Sequence, residues 1–411
     1  MPLHRDPDFV KLWVGQAISQ IGSRVTREGL PLTAVMVLGA TPLEMGFLNG
    51  ASAAAILTFG LFAGAWADRL RRRPILIASD LGRALLLGSV PVAALLHRLG
   101  MPQLYVIAAA AGLLTVLFDV SYQAFIPSLV GPDNLLEGNS KLAVSESVAE
   151  IAGPGLTGVL VQLLTAPIAI AVDAISFLVS AGSLALLRKP EPAPERHESP
   201  DMLREIREGI SASWHNPLLR AFMLRTATAG FFGGMMGSLY VLFAIRTLGL
   251  RPAILGAVIS IGGVSALCGA FLTERIVRRF GVGPTIVGSA VLTGVAAFFN
   301  PMAHGSTATA VAFLAAAQIN DAGWVTYTVN ETSVRQAVVP SRLLGRVNSA
   351  MHLLFRGLLP LGAFAGGALA QVIGVRSTMF VASAGFLLSS LWLIFSPVRK
   401  LRKLPASAQT A

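Results

Sequence analysis

The chain is 411 residues long, 54% hydrophobic and only 13% charged, with a mean hydropathy of +0.68. A soluble domain needs about 25% charged residues to wet its surface, so a water-soluble enzyme or binding module is excluded and lipid must face most of the exterior. The net charge of +11 would suggest nucleic acid in a soluble protein, but the cations are spread over short loops, and no nucleic-acid partner is expected.

A helix rises about 1.5 Å per residue, so roughly 20 apolar residues cross a hydrocarbon core about 30 Å thick. This ruler predicts spans over 9–38, 44–66, 75–97, 104–126, 140–164 and 167–187. A second set follows over 221–245, 253–273, 284–303, 308–329, 347–372 and 376–396. No cleavage site follows the first apolar stretch, which is expected to remain as a spanning helix. Between the sets lies a polar linker, 188–216. It opens with RKPEPAPERHESPD, too proline-rich and charged for a helix, and continues as MLREIREGISASW, which predicts an amphipathic surface helix. The expected organisation is an all-α membrane protein of about twelve spans. An N-terminal six-helix bundle (1–187), the linker, a C-terminal bundle (217–397) and a basic tail (398–411) follow in order.

Lys and Arg collect on one side of these spans. That side holds Arg5, Lys11, the run Arg69, Arg71, Arg72 and Arg73, the linker, Arg275, Arg278, Arg279, Arg335, Arg342, Arg346 and the tail. The other side has little more than Arg98, Arg246, Arg251 and Arg376. The bias of Lys and Arg toward the cytoplasm predicts cytoplasmic termini and linker, in a bacterial inner membrane. The halves also repeat. A shift of 348 − 139 = 209 positions lays Asn139, Ser140, Gly153, Gly158 and Gln162 on Asn348, Ser349, Gly362, Gly367 and Gln371. Two bundles running in the same sense are the parallel repeat of transporters, with substrate expected between halves that rock.

The loop after the second span reads GAWADRLRRRP over 64–74, and its counterpart after the eighth reads ERIVRRFG over 274–281. An acid, an Arg, two spacers and two Arg recur. Here the sequence resembles the major facilitator superfamily, whose motif at this loop is G-x-L-A-D-R-x-G-R-R; Trp66 and Arg71 depart from it. The resemblance implies a cytoplasmic gate of Gly64, Asp68, Arg69 and Arg72 with Asp119. It implies a copy of that gate in Glu274, Arg278 and Asp321. A carboxylate facing a helix N-terminus gains about 0.3–1 kcal/mol. Cytoplasmic placement of Arg alone would give the same charge run.

The fifth span carries Gly153-Pro154-Gly155-Leu156-Thr157-Gly158. It resembles the glycine-proline motif of the family's drug/proton antiporters, with Thr157 where Gly is usual. The resemblance points to export, while ordinary close packing of small residues would give the same pattern. Longer stretches, LWVGQAISQIGSRVTREGLPL and AIAVDAISFLVSA among them, look like the branch that includes the enterobactin exporter and macrolide-efflux proteins.

Polar groups inside spans cost at least about 2.5–3.5 kcal/mol each when ionised, so each needs a reason. Gln16, Gln20, Ser23, Arg24 and Arg27 fall at three- and four-residue spacings, one helical stripe, and are expected to line the substrate cavity between the halves. Glu28 follows on the same span, Glu146 and Glu150 share a face of the fifth, and Asp173 lies in the sixth. Each is a candidate carrier of the coupling proton; each could instead be a structural partner of Arg24, Arg27 or Lys141. In the second half, Phe231 and Met235 suit a greasy pocket and equally plain packing. Trp324 and Tyr327 could stack a substrate or belong to the interfacial belt, with the belt favoured for Tyr327.

No clustered metal ligands and no GxxxxGK[ST] phosphate loop occur in the sequence, so neither metal nor cofactor is expected beyond a proton gradient. The expected activity is proton-coupled export of amphipathic small molecules, drugs, macrolides or a siderophore, by a monomer in contact with membrane lipid. A lipid or lysolipid flippase and an uptake symporter are the alternatives within transport. An enzyme or a non-transporting receptor on this scaffold is the alternative outside it.

Overall fold

A computed structural model describes residues 3–54, 70–189, 191 and 202–405. Among these, every regular element is helical. The predicted spans appear as α1 (Pro7–Met36), α2 (helical over 42–54), α3 (Arg72–Leu95), α4 (Met101–Val130), α5 (Leu135–Leu164) and α6 (Ala166–Ala185). The amphipathic linker segment is α7 (Met202–His215). Next come α8 (Pro217–Leu242), which runs into a π-helical turn, and α9 (Pro252–Phe280). The ninth predicted span is α10 (Val282–Ala297) with the short α11 (Phe299–Met302). The tenth is α12 (Thr307–Ala317) with α13 (Ile319–Val338). The last two are α14 (Ser341–Ile373) and α15 (Val375–Leu388) with the short α16 (Leu391–Ile394).

Nine described helices are long and apolar enough to cross a membrane; they match the third to ninth, eleventh and twelfth predicted spans. The first span is diluted by its polar stripe, and the tenth is divided at Gln318, whose N–H bonds the Ala315 carbonyl three residues back at 3.1 Å. That tighter turn ends α12. A second difference lies at residues 274–279. The sequence pattern suggests a loop there, but these residues form the last turns of α9, which stops only at Gly281 (φ 88°).

The chain divides into two compact units: Met1–Glu44, Ala51–Ser199 and Arg251–Ser260 in the first; Met45–Gly50, Pro200–Leu250 and Ile261–Ala411 in the second. In the first unit, α1 lies on α6 through glycines seven residues apart. A Cβ at Gly15 would come within 2.7 Å of the Ser183 side chain, one at Gly22 within 2.6 Å of Asp173, and one at Gly29 within 3.1 Å of Ile170. Small residues let membrane helices approach closely, where van der Waals contact is the main attraction. Leu12, Leu76, Phe118 and Leu184 fill the space behind this seam.

One crossing occurs twice, once within each unit. In the first, Gly158 abuts the Pro252 carbonyl and Gly256 abuts the Pro154 carbonyl. In the second, a Cβ at Gly46 would lie 2.7 Å from the Ala363 carbonyl and 3.2 Å from Gly367. Gly158 and Gly367 are partners in the internal repeat, and Gly46 and Gly256 stand 256 − 46 = 210 positions apart.

Candidate functional site

The α1 stripe lines a cavity of about 530 Å³ in the first unit. Gln16, Gln20, Ser23, Arg24 and Arg27 form one wall; Phe118, Asp119 and Tyr122 of α4 and Leu142 and Glu146 of α5 form the others. The stripe is assembled by helix geometry alone, because its members recur every three or four residues. Gln16 is buried and donates to Ser180 Oγ of α6 at 2.8 Å. Trp13, one turn before, donates to Ser145 of α5 at 2.8 Å.

Two of the proton candidates are ion-paired. The Glu150 carboxylate contacts Arg24 directly and lies 3.8 Å from Arg27; Glu28 lies 3.9 Å from Arg27. Gly153 makes the first pairing possible, since a Cβ there would come within 2.5 Å of Arg24 Cβ. Pro154 leaves its turn of α5 one donor short, and the next N–H, that of Gly155, donates to Ser260 Oγ of α9 at 3.0 Å. The three motif residues thus have separate tasks: Gly153 admits Arg24, Pro154 presents its carbonyl to Gly256, and Gly158 admits the α9 backbone. Glu146 is exposed to the cavity. Asp173 is fully buried and accepts from Ser176 Oγ at 2.9 Å.

The expected gate is only partly in view. Gly64, Asp68 and Arg69 lie outside the described residues. Arg72 begins α3, where its N–H and that of Arg73 donate to Glu191 at 2.5 and 3.1 Å. A carboxylate there caps the helix N-terminus. Asp119 faces the cavity within electrostatic reach of Arg83. In the second half, Glu274 and Arg278 pair with each other at 3.0 Å on an exposed face of α9. Asp321 instead packs against Gly262, twelve residues and about 18 Å along the helix from Glu274. The structure therefore does not bring Asp321 to the Glu274–Arg278 pair.

Of the remaining second-half candidates, Met235 is buried while Phe231 and Trp324 are half-buried. Met235 is buried against Gly366 of α14, and the Phe231 carbonyl faces Gly362. Trp324 lies 5.5 Å from Phe355. Tyr327 is buried, which corrects its expected place in the interfacial belt; its ring lies 3.7 Å from the guanidinium of Arg225.

Three charged residues escaped the sequence reading. Asp80 and Arg83 of α3 form a buried ion pair at 2.5 Å, with the guanidinium 4.5 Å from the Phe118 ring and 4.1 Å from the Phe177 ring. Arg225 of α8 is fully buried beneath Tyr327, Trp324 and Phe386. The signal was available, because any charge inside a predicted span needs a partner, and all three lie inside predicted spans. Among the described residues, no three His, Cys, Asp or Glu side chains converge as metal ligands.

The sequence profile of the Major Facilitator Superfamily matches residues 12–360. The chain is 28% identical over 402 residues to the multidrug efflux pump Tap of Mycolicibacterium fortuitum, covering 94% of this chain and 95% of that one. It is 27% identical over 405 residues to the uncharacterized MFS-type transporter YfiS of Bacillus subtilis strain 168, covering 96% and 94%. Among solved structures, an inward-facing bacterial homologue of the iron transporter ferroportin superposes with TM-score 0.75 at 19% identity, covering 94% of this chain and 98% of that one. The nucleoside transporter NupG superposes with TM-score 0.72 at 10% identity, covering 94% and 98%. At these identities the solved structures establish the fold.

Proposed function

The chain belongs to the Major Facilitator Superfamily, and from that premise we propose that this membrane transporter is a proton-coupled exporter of amphipathic small molecules. The observation that carries the reading is the charged and aromatic cavity of the first unit, where Arg24, Arg27 and Glu146 stand beside Phe118 and Tyr122. Cavities of about 300–1,000 Å³ suit drug-sized ligands, with few polar groups to orient them. Aromatic faces there take the apolar body of a substrate, and the mixed charges take its polar end. The multidrug pump among the relatives supports export of such molecules. The Arg24–Glu150 and Arg27–Glu28 contacts give protons a place to act, because protonating either acid releases an Arg into the cavity. Cytoplasmic termini, a bacterial inner membrane and the monomeric state belong to the same proposal, as does a proton gradient in place of any cofactor.

The test is transport in proteoliposomes with an imposed pH gradient, using ethidium and a macrolide as probes while lumenal pH is followed. Probe movement against opposite proton flow, lost in Glu150→Gln at equal protein level, is the expected result. Movement of labelled lipid alone, or probe flux indifferent to the gradient, overturns it.

A further inference from the structure

The first unit buries more negative than positive charge at one point. Asp80 and Asp173 are both fully buried, and among the described residues the buried cation beside them is Arg83. Arg83 Nη2 bonds Asp80 Oδ1 at 2.5 Å, and Asp173 acts on the same guanidinium from α6. Asp173 Oδ1 is engaged by Ser176 Oγ at 2.9 Å. The Thr26 and Ser180 hydroxyls flank the two carboxyls, yet Oδ2 of each carboxyl makes no hydrogen bond of good geometry. Two ionised carboxylates beside one guanidinium would leave a net negative charge buried with only neutral hydroxyls to stabilise it. Such a charge costs several kcal/mol, and a single proton removes it.

Among the described residues, the surrounding groups do not supply a second cation. From α4, Asp119 adds a further acid and Thr115 offers its hydroxyl at 3.4 Å from Arg83 Nη1. From α1 come Gln16, Gly22 and Thr26, none ionisable. The acids of α5 act on Arg24 and Tyr122 instead. Arg83 itself lines the cavity, while Asp80 and Asp173 do not.

We propose that Asp80, Arg83 and Asp173 form a proton-binding site holding one proton between its two carboxyls, with Arg83 as its link to the cavity. In one arrangement Arg83 neutralises Asp80 and the proton resides on Asp173. When Arg83 turns to an anionic group in the cavity, whether Asp119 or the acid of a substrate, Asp80 is stripped of its partner and takes up a second proton, delivered as hydronium from the aqueous phase. No bond other than O–H forms or breaks. The use of this site in transport rests on the proton-coupled reading above; the shared proton does not.

The experiment is infrared spectroscopy of the purified full-length protein in nanodiscs, reading the C=O stretch of protonated carboxyls at neutral pH. The wild type is expected to show a protonated buried carboxyl. Asp80→Asn and Asp173→Asn should each remove it, because the remaining carboxylate then has Arg83 to itself. Arg83→Gln should double it. The Glu28→Gln/Glu331→Gln double variant, which leaves the three residues untouched, should retain it and keeps the test decisive if an α3 variant fails to fold. A wild type without the band, a band that survives both Asn variants, or a band lost with Glu28 and Glu331 overturns the site. Ethidium flux in proteoliposomes is measured on the same preparations. Flux in Asp173→Asn should fall to the rate seen without a gradient. A band that behaves as expected beside gradient-indifferent flux keeps the site and overturns the coupled-transport reading. Coupled flux without the band does the reverse.

Discussion

Each unit of this protein buries an arginine in the middle of a helix, and the two do it differently. In the first, Arg83 is held by the carboxylate of Asp80 and by two aromatic faces, with the Asp173 acid behind it. In the second, Arg225 lies under Tyr327, Trp324 and Phe386, and its guanidinium nitrogens make no hydrogen bond of good geometry. The acid nearest to it in charge, Glu331, is bonded to Arg335 at 2.9 Å. A cation balanced by aromatic quadrupoles has nothing to exchange, because rings neither take nor give protons near neutral pH. A cation balanced by carboxylates can trade its partner for a proton. The difference is why the proposed proton site lies in the first unit.

The largest test of that contrast is removal of a single member of the first pair. Asp80→Ala breaks the bonded pair and leaves Arg83 the Asp173 carboxylate alone, so the loss should stay below the about 3–5 kcal/mol of a wholly unpaired buried charge; thermal unfolding in detergent should show a drop in Tm. The Asp80→Ala/Arg83→Ala double variant should lose clearly less than the two single losses added together, the signature of a coupled pair. Additive losses would mean that the two residues act independently.

Next in size are the backbone crossings. Gly158→Val drives a side chain into the Pro252 carbonyl and should cost about 1–3 kcal/mol, with Gly256→Val matching it. Gly237 of α8 has nothing within 4 Å of an added Cβ, so Gly237→Ala should be neutral or stabilising by about 0.5–1 kcal/mol. Equal losses at Gly158 and Gly237 would show that the crossing is not a close contact.

Arg225→Met probes the aromatic cage. An apolar side chain of similar length avoids burying a charge, so stability should hold or rise by about 1–4 kcal/mol, and ethidium flux should persist. Loss of flux with retained stability would move the second unit into the transport chemistry. The smallest effect belongs to the surface: Glu274→Gln, which breaks the exposed pair with Arg278, should shift stability by only a few tenths of a kcal/mol.

Much of this was legible from residues alone. The spans, the amphipathic α7 and the polar stripe of α1 follow from length and period, because a helix in lipid must satisfy its own backbone and cannot hide a polar face against hydrocarbon. The family signature at 64–74 was equally legible, and residues 12–360 carry the match. The polar stripe was expected at a cavity between the halves; its members line a cavity of the first unit.

Other assignments waited on the tertiary structure. Spacing places Glu146 and Glu150 on one face but cannot say that Arg24 reaches Glu150 past Gly153. Nor can it say that Asp321 settles at Gly262, far along α9 from Glu274. Tyr327 and Met235 have the composition of a belt and a pocket, yet both are buried, because the neighbouring helix decides which side of a span meets lipid. By itself the sequence determined that this chain is a membrane-spanning bundle of the major facilitator kind, since hydropathy and helix period act locally along the chain. Which acids surround Arg83 was decided by the packing of α3 on α4 and α6, since Asp119 and Asp173 come within electrostatic reach of it only once those helices are side by side.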